Sequence, residues 1–109
     1  YHFKNYVLKF ISSNVINYED ISINDHTMLN IVSNKSCTIT EVEKDILSYL
    51  VTSDNCSKTF IKKNILNINS NIETNSVENH FSRIRKKLEK IGSKLQIQSK
   101  IDQVSIYSA

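Results

Sequence analysis

The sequence predicts an α+β fold: a short antiparallel sheet, then three helices, then a closing β-hairpin. Three observations carry that expectation. Apolar residues between Tyr18 and Ile39 alternate with polar ones in the period of strands. From Thr40 to Ile91 they recur at spacings of three and four, the period of buried helix faces. After Gly92, the only glycine in 109 residues, the strand period returns. A chain of this length suits one small domain around one core.

At the start of the chain, Phe3, Tyr6, Val7, Phe10 and Ile11 favour an amphipathic helix, although Tyr6 to Ile11 also suits a strand. Ser12, Ser13 and Asn14 then read as a break, and the domain proper is expected over residues 18–109. Ile21 and Ile23 alternate with polar neighbours. Met28 to Val32 forms a second strand-like run, Asn34 to Ser36 a turn, and Thr38-Ile39 a third short run. Three or four short antiparallel strands fit this pattern.

Thr40-Glu41-Val42-Glu43 is a capping-box pattern, in which Thr40 and Glu43 satisfy each other's free backbone donors. Val42, Ile46, Leu47, Tyr49 and Leu50 make the buried stripe of the helix that follows, and Thr52 to Asn55 closes it. Ser57 opens a shorter helix, SKTFIKKNIL, with Phe60, Ile61, Ile65 and Leu66 turned inward. Asn67 to Glu73 is a polar loop whose Ile68 and Ile72 can fill the core.

The stretch from Thr74 to Ile91 divides most cleanly. Val77, Phe81, Ile84, Leu88 and Ile91 share one apolar stripe, while Asn79, Ser82, Arg83, Lys86 and Lys90 point the opposite way. Asn75 or Ser76 can cap this helix, Glu78 complements the positive end of its dipole, and Gly92 suits a left-handed C-terminal cap. Leu95, Ile97 and Ile101, then Val104 and Ile106, alternate as two strands around Asp102-Gln103. Three helices followed by a hairpin describe a winged helix-turn-helix, in which the third helix enters a major groove.

Charge is distributed unevenly. Residues 1–54 hold four Lys against seven Asp and Glu (−3), and residues 55–109 hold ten Lys and Arg against four Asp and Glu (+6), giving +3 in all. A basic half beside an acidic half suggests a one-sided electrostatic footprint, although solvated faces also collect such charges. Asn-rich segments reflect compositional bias and carry no functional weight. No run is apolar enough to span a bilayer, and no signal peptide is visible. A start at Tyr1 instead of Met suggests a piece of a longer protein. Cys37 and Cys56 form no metal-binding motif and are expected as buried thiols in a cytoplasmic protein. His2, His26 and His80 lack the neighbours that a nucleophile or a metal would need, and one glycine cannot build a phosphate loop. Neither catalysis nor a metal or other cofactor is expected.

The quoted segments resemble the effector domain of OmpR/PhoB-type response regulators, the transcription factors of bacterial two-component systems. Ile39-Thr40-Glu41-Val42-Glu43 is similar to that family's L-T-x-x-E opening of the first helix. Val77 to Leu88, VENHFSRIRKKL, is similar to its recognition helix V-D-x-H-I-x-x-L-R-x-K-L, in register, acidic residue, histidine and basic tail. The resemblance covers about residues 18–107 and implies double-stranded DNA as partner. It further implies that residues 1–14 end a preceding receiver domain or form a linker helix, that the parent protein belongs to a phosphorelay, and that it binds repeated half-sites as a homodimer. The helix 2–3 loop of the family often meets RNA polymerase, which points to Asn67, Asn69, Ser70 and Asn71. The wing departs from the family: it lacks G-x-G-Y and the usual arginine, so Lys100 or Gln103 has to replace that arginine.

Arg can bond guanine O6 and N7 together, and Asn can pair with adenine N6 and N7. Arg83 and Asn79, on the outward stripe, are therefore the first candidates for reading bases. Glu78 is another, able to accept from cytosine or merely to complement the dipole. Ser76, His80, Ser82, Arg85, Lys86 and Lys87 are candidates for phosphates, which position a protein without specifying sequence. The resemblance puts His80 and Arg85 beside the backbone, although a flank histidine can also bond within its own protein. Lys62 and Lys63 suit a solvated face better than a phosphate. The rival expectation is a winged helix turned protein-interaction module, motivated by the atypical wing and the acidic N-terminal half.

Overall fold

The computed structural model describes residues 15–53, 55–66 and 75–109. Residues 1–14, with the expected terminal helix or linker, lie outside the described residues, as does the loop with Asn67, Asn69, Ser70 and Asn71. Four short strands come first: β1 (Ile16–Tyr18), β2 (Ile21–Asn24), β3 (Thr27–Asn30) and β4 (Ser36–Thr38), in the order β1-β2-β3-β4 and all antiparallel. Glu19 (φ 52°) and Asp25 (φ 58°) take the left-handed conformation in the two tight turns. Ile21, Ile23 and Met28 face the core, as the alternation requires.

The sheet differs from expectation in detail. β1 begins at Ile16, ahead of the visible alternation. The second run stops at Asn30 instead of reaching Val32, because the buried Asn30 side chain turns the backbone: its Oδ1 accepts from the N–H groups of Val32 (2.8 Å) and Ser33 (3.1 Å). Ile31 and Val32 are therefore exposed, and Asn34 completes the turn at φ 63°. β4 correspondingly ends at Thr38, leaving Ile39 buried just beyond it.

Helix α1 (Glu41–Thr52) starts with the expected capping box: Thr40 Oγ1 accepts from the Glu43 N–H at 3.1 Å, and the Glu43 carboxylate accepts from the Thr40 N–H at 2.8 Å. Ile46, Leu47 and Leu50 are buried, with Val42 and Tyr49 partly so. Strand β5 (Cys56–Ser57) was not legible in the sequence and exists by pairing with the wing. Ser57 also caps α2 (Lys58–Phe60), its Oγ accepting from the Phe60 N–H at 3.0 Å. The helix widens at once into π-helical residues Ile61–Ile65. Tyr49 locks α2 to α1, its ring stacked on Phe60 at 4.4 Å and its hydroxyl accepting from the Ser57 N–H at 2.9 Å.

Helix α3 (Asn75–Lys90) buries Val77, Phe81, Ile84 and Leu88 as one stripe, continued by Ile91. It begins at Asn75, so Asn75 and Ser76 lie in its first turn and not at the cap; the preceding position is outside the described residues. Its far end is a Schellman cap. Gly92 sits at φ 74°, its N–H donates to Glu89 O, and the Ser93 N–H donates to Leu88 O. Strands β6 (Leu95–Ser99) and β7 (Gln103–Ser108) form the hairpin, and β5 completes a sheet of order β5-β7-β6. Leu95, Ile97, Val104 and Ile106 point inward; Ile101, expected in a strand, sits at the exposed tip. The α+β architecture is thus a winged helix-turn-helix domain with an N-terminal antiparallel sheet. Cys56 is buried, Cys37 is half-buried, and neither is bonded to another cysteine.

Candidate nucleic-acid interface

α3 is held in place by bonds to the N-terminal sheet and its turn, to α1, to α2 and to β6. At its C-terminal end, the N-terminal sheet holds the Ile91 carbonyl through Asn30 Nδ2 (2.9 Å) and Ser33 Oγ (2.8 Å). Just beyond, the Asp20 carboxylate accepts from Ser93 Oγ (2.7 Å) and from the Lys94 N–H (2.9 Å). The N-terminal sheet and its turns thereby act as a clamp on the helix end.

Three charged residues of α3 face other parts of the protein. Lys87 Nζ donates to Glu43 of α1 at 2.6 Å, against a carboxylate that is only 2% exposed. Burial alone would raise the Glu43 carboxyl, but Lys87 and the Thr40 N–H outweigh it and hold it below its ordinary value. Arg85 donates through Nε (3.2 Å) and Nη2 (3.0 Å) to the Ile97 carbonyl of β6, with its guanidinium 6.0 Å from the Phe81 ring centroid. Glu78 meets Lys58 Nζ of α2 at 2.7 Å and accepts from Ser99 Oγ of β6 at 2.7 Å. Its carboxyl too is lowered: burial opposes this, and the bonds from Lys58 and Ser99 prevail. α3 is thus tied to α1, α2 and the wing by side chains that leave its opposite face untouched.

On that opposite face Asn79, Ser82, Arg83, Lys86 and Lys90 are exposed. None of them has a hydrogen bond or ion pair among the described residues. An exposed row of amide, hydroxyl, guanidinium and ammonium groups on a rigidly held helix can lie against a polyanion and offer donors to base edges. Ser76 and His80 are half-buried on the flank of this row. His80 Nδ1 is buried with no hydrogen-bond partner among the described residues, and burial, then the nearby Arg83 charge, push its pKa down against the opposing pull of Glu43. In the wing, Lys100 and Gln103 are both exposed beside the hairpin tip.

The structure therefore gathers Asn79, Ser82, Arg83 and Lys86 on one surface and turns Glu78, Arg85 and Lys87 toward protein partners. Residues that sequence reasoning missed include Asn30, Ser33 and Asp20, which clamp the helix end. Asp102 is another: its carbonyl accepts from the Lys58 N–H at 2.7 Å, and its Oδ1 accepts from Thr59 Oγ1 at 2.8 Å and the Thr59 N–H at 3.2 Å. Their partners lie tens of residues away in sequence, so no local pattern announces them. Among the described residues no cluster of His, Cys, Asp or Glu is disposed to hold a metal ion, and no helix is long and apolar enough to cross a membrane.

Residues 34–103 match the family described as "Transcriptional regulatory protein, C terminal". No curated protein matches the chain.

Proposed function

The chain belongs to the C-terminal effector-domain family of OmpR/PhoB-type response regulators, and from that premise we propose that it binds specific sites on double-stranded DNA with α3 in the major groove. The family is one of DNA-binding regulatory domains, not of enzymes. The observation that carries the proposal is the exposed row Asn79, Ser82, Arg83 and Lys86 on a helix whose other faces are fastened to the protein. Arg83 and Asn79 read base edges; Ser82 and Lys86 contact phosphates, with Ser76 and His80 at the flank. Lys100 and Gln103 approach the neighbouring backbone from the wing. Glu78, Arg85 and Lys87 position the helix, and their bonds within the protein support that role over direct contact with DNA.

Family membership also supports the wider proposal. The parent protein acts in the cytoplasm of a bacterium under phosphorelay control, binds repeated half-sites as a homodimer, and meets RNA polymerase through Asn67, Asn69, Ser70 and Asn71.

The test is titration of a duplex obtained by selection from genomic fragments, at several salt concentrations. Affinity is expected to fall with a log–log slope of about −0.9 per phosphate neutralised. Arg83→Ala should lose about 1–3 kcal/mol at the selected site and relax base preference there. Equal weakening on all sequences refutes the base-reading role. Absence of any retarded duplex at low salt refutes DNA binding and favours the protein-interaction module.

A further inference from the structure

The first turn of α2 grips the wing and α3 at once. The Lys58 N–H donates to the Asp102 carbonyl at 2.7 Å, and Asp102 Oδ1 accepts from Thr59 Oγ1 at 2.8 Å and from the Thr59 N–H at 3.2 Å. Lys58 Nζ in turn pairs with Glu78 of α3 at 2.7 Å, and Glu78 accepts from Ser99 Oγ of β6 at 2.7 Å. These bonds close a circuit that runs from the wing through α2 and α3 and back to the wing. Asp102 is the member at the hairpin tip.

The tip needs such a hold. The hairpin closes on two residues, Ile101 and Asp102, with the Lys100 N–H donating to Gln103 O at 2.8 Å. The favoured two-residue hairpin turns take positive φ, because that twist matches the strands on either side. Neither Ile101 nor Asp102 has a positive φ, and no glycine lies between Ser93 and Ala109. The turn is therefore fixed from outside, by Lys58 and Thr59.

Its position matters because α3 and the wing have to meet one stiff duplex together. Asn79 follows Glu78 directly and Lys100 stands two residues before Asp102, so the circuit joins the two surfaces proposed to contact DNA. A wing free to swing would have to be ordered on binding, which weakens the complex. Charge argues the other way, since a carboxylate near phosphates repels them. An acidic residue here is unfavourable for DNA binding unless its bonds outweigh its charge.

Resting on the proposed DNA binding, we infer that Asp102 is a positioning residue for it: through Thr59 of α2, Asp102 holds the wing, and with it Lys100, in a fixed place relative to α3.

The test is an anisotropy titration of a duplex recovered by selection from a random-sequence library. It compares the native chain with Asp102→Ala, Asp102→Asn, Thr59→Val and the double variant Asp102→Ala/Thr59→Val. Asp102 and Thr59 are both exposed, so these substitutions leave the core intact. Asp102→Asn keeps the acceptor for Thr59 and removes the charge, so it should bind as tightly as the native chain or more tightly. Asp102→Ala removes acceptor and charge together and should bind about fivefold more weakly, the worth of one net hydrogen bond, although the lost charge is one that repels DNA. Thr59→Val should also weaken binding. The double variant should bind no more weakly than Asp102→Ala, since both substitutions break the same bond. Unchanged or tighter binding by Asp102→Ala overturns the inference, as does an Asp102→Asn variant as weak as Asp102→Ala. Additive losses in the double variant overturn it too, because Thr59 would then act on DNA by itself. Should Asp102→Ala fail to fold, Thr59→Val decides: weakened binding beside a tight Asp102→Asn variant upholds the inference, and unchanged affinity overturns it. If only this inference fails, Arg83→Ala still weakens binding at the selected site; if the native chain binds no duplex at low salt, both fall.

Discussion

Lys87→Met tests whether the basic tail of α3 serves the fold or the DNA. Glu43 is 2% exposed and bonded to Lys87 Nζ at 2.6 Å and to the Thr40 N–H at 2.8 Å. Removing one partner of a fully buried ion pair costs about 3–5 kcal/mol, because the remaining charge is stranded. Here the Lys87 side chain is 29% exposed and Thr40 still donates, so water can reach the stranded carboxylate. A loss of about 2 kcal/mol at pH 7 is therefore expected, or roughly 8–16 °C in Tm for a domain of this size. The pH dependence gives an independent check. A carboxyl held low in the folded state adds stability above its unfolded pKa and loses it as pH falls through the folded value. The variant lacks that contribution, so the gap between the two proteins should close below about pH 4. Urea denaturation followed by circular dichroism at pH 7 and at pH 3 measures both quantities. A variant as stable as the native chain at pH 7, or one with an undiminished gap at pH 3, refutes the assigned role of the pair. Duplex titration separates the roles further: a phosphate contact would reduce the salt slope by about one, whereas a positioning residue leaves it unchanged.

Two further substitutions probe the clamp on the helix end. Gly92→Ala places a Cβ no nearer than 4.0 Å to Asn30 Nδ2 and Ser33 Oγ, so its cost is that of the left-handed backbone alone. A loss of about 1–2 kcal/mol by thermal denaturation is expected; no loss would show that the cap rearranges freely. Asn30→Ala removes one donor from the Ile91 carbonyl and the acceptor for Val32 and Ser33, inside the protein. It should cost about 2–3 kcal/mol and speed amide exchange at Val32 and Ser33. Unchanged exchange there would refute the account of that turn.

The elements most legible in the sequence are those whose signal is local. The Thr40–Glu43 box, the Val77 to Ile91 stripe and the Gly92 cap each need only a few consecutive turns of chain, and each is present as expected. The structure departs from the local alternation where a side-chain bond, a turn closure or a distant strand overrides it. Ile31 and Val32 have strand propensity, yet the Asn30 side chain bends the chain before they can pair. Cys56–Ser57 has too few residues to signal a strand and becomes one only because β7 lies beside it. Ile101 follows the alternation of a strand, but the hairpin closes between Lys100 and Gln103 and leaves it at the tip.

Amino-acid order alone determined that residues 75–91 would be a helix with a greasy side and a cationic side, since helical periodicity is a property of neighbouring residues. It could not determine which cations are free. Arg83, Arg85, Lys86 and Lys87 look alike in the sequence, and only the packing of α1 and β6 against α3 ties down Arg85 and Lys87 while leaving Arg83 and Lys86 exposed. Hydrogen bonds between residues dozens of positions apart made that distinction, and they exist only once the chain has closed around its core.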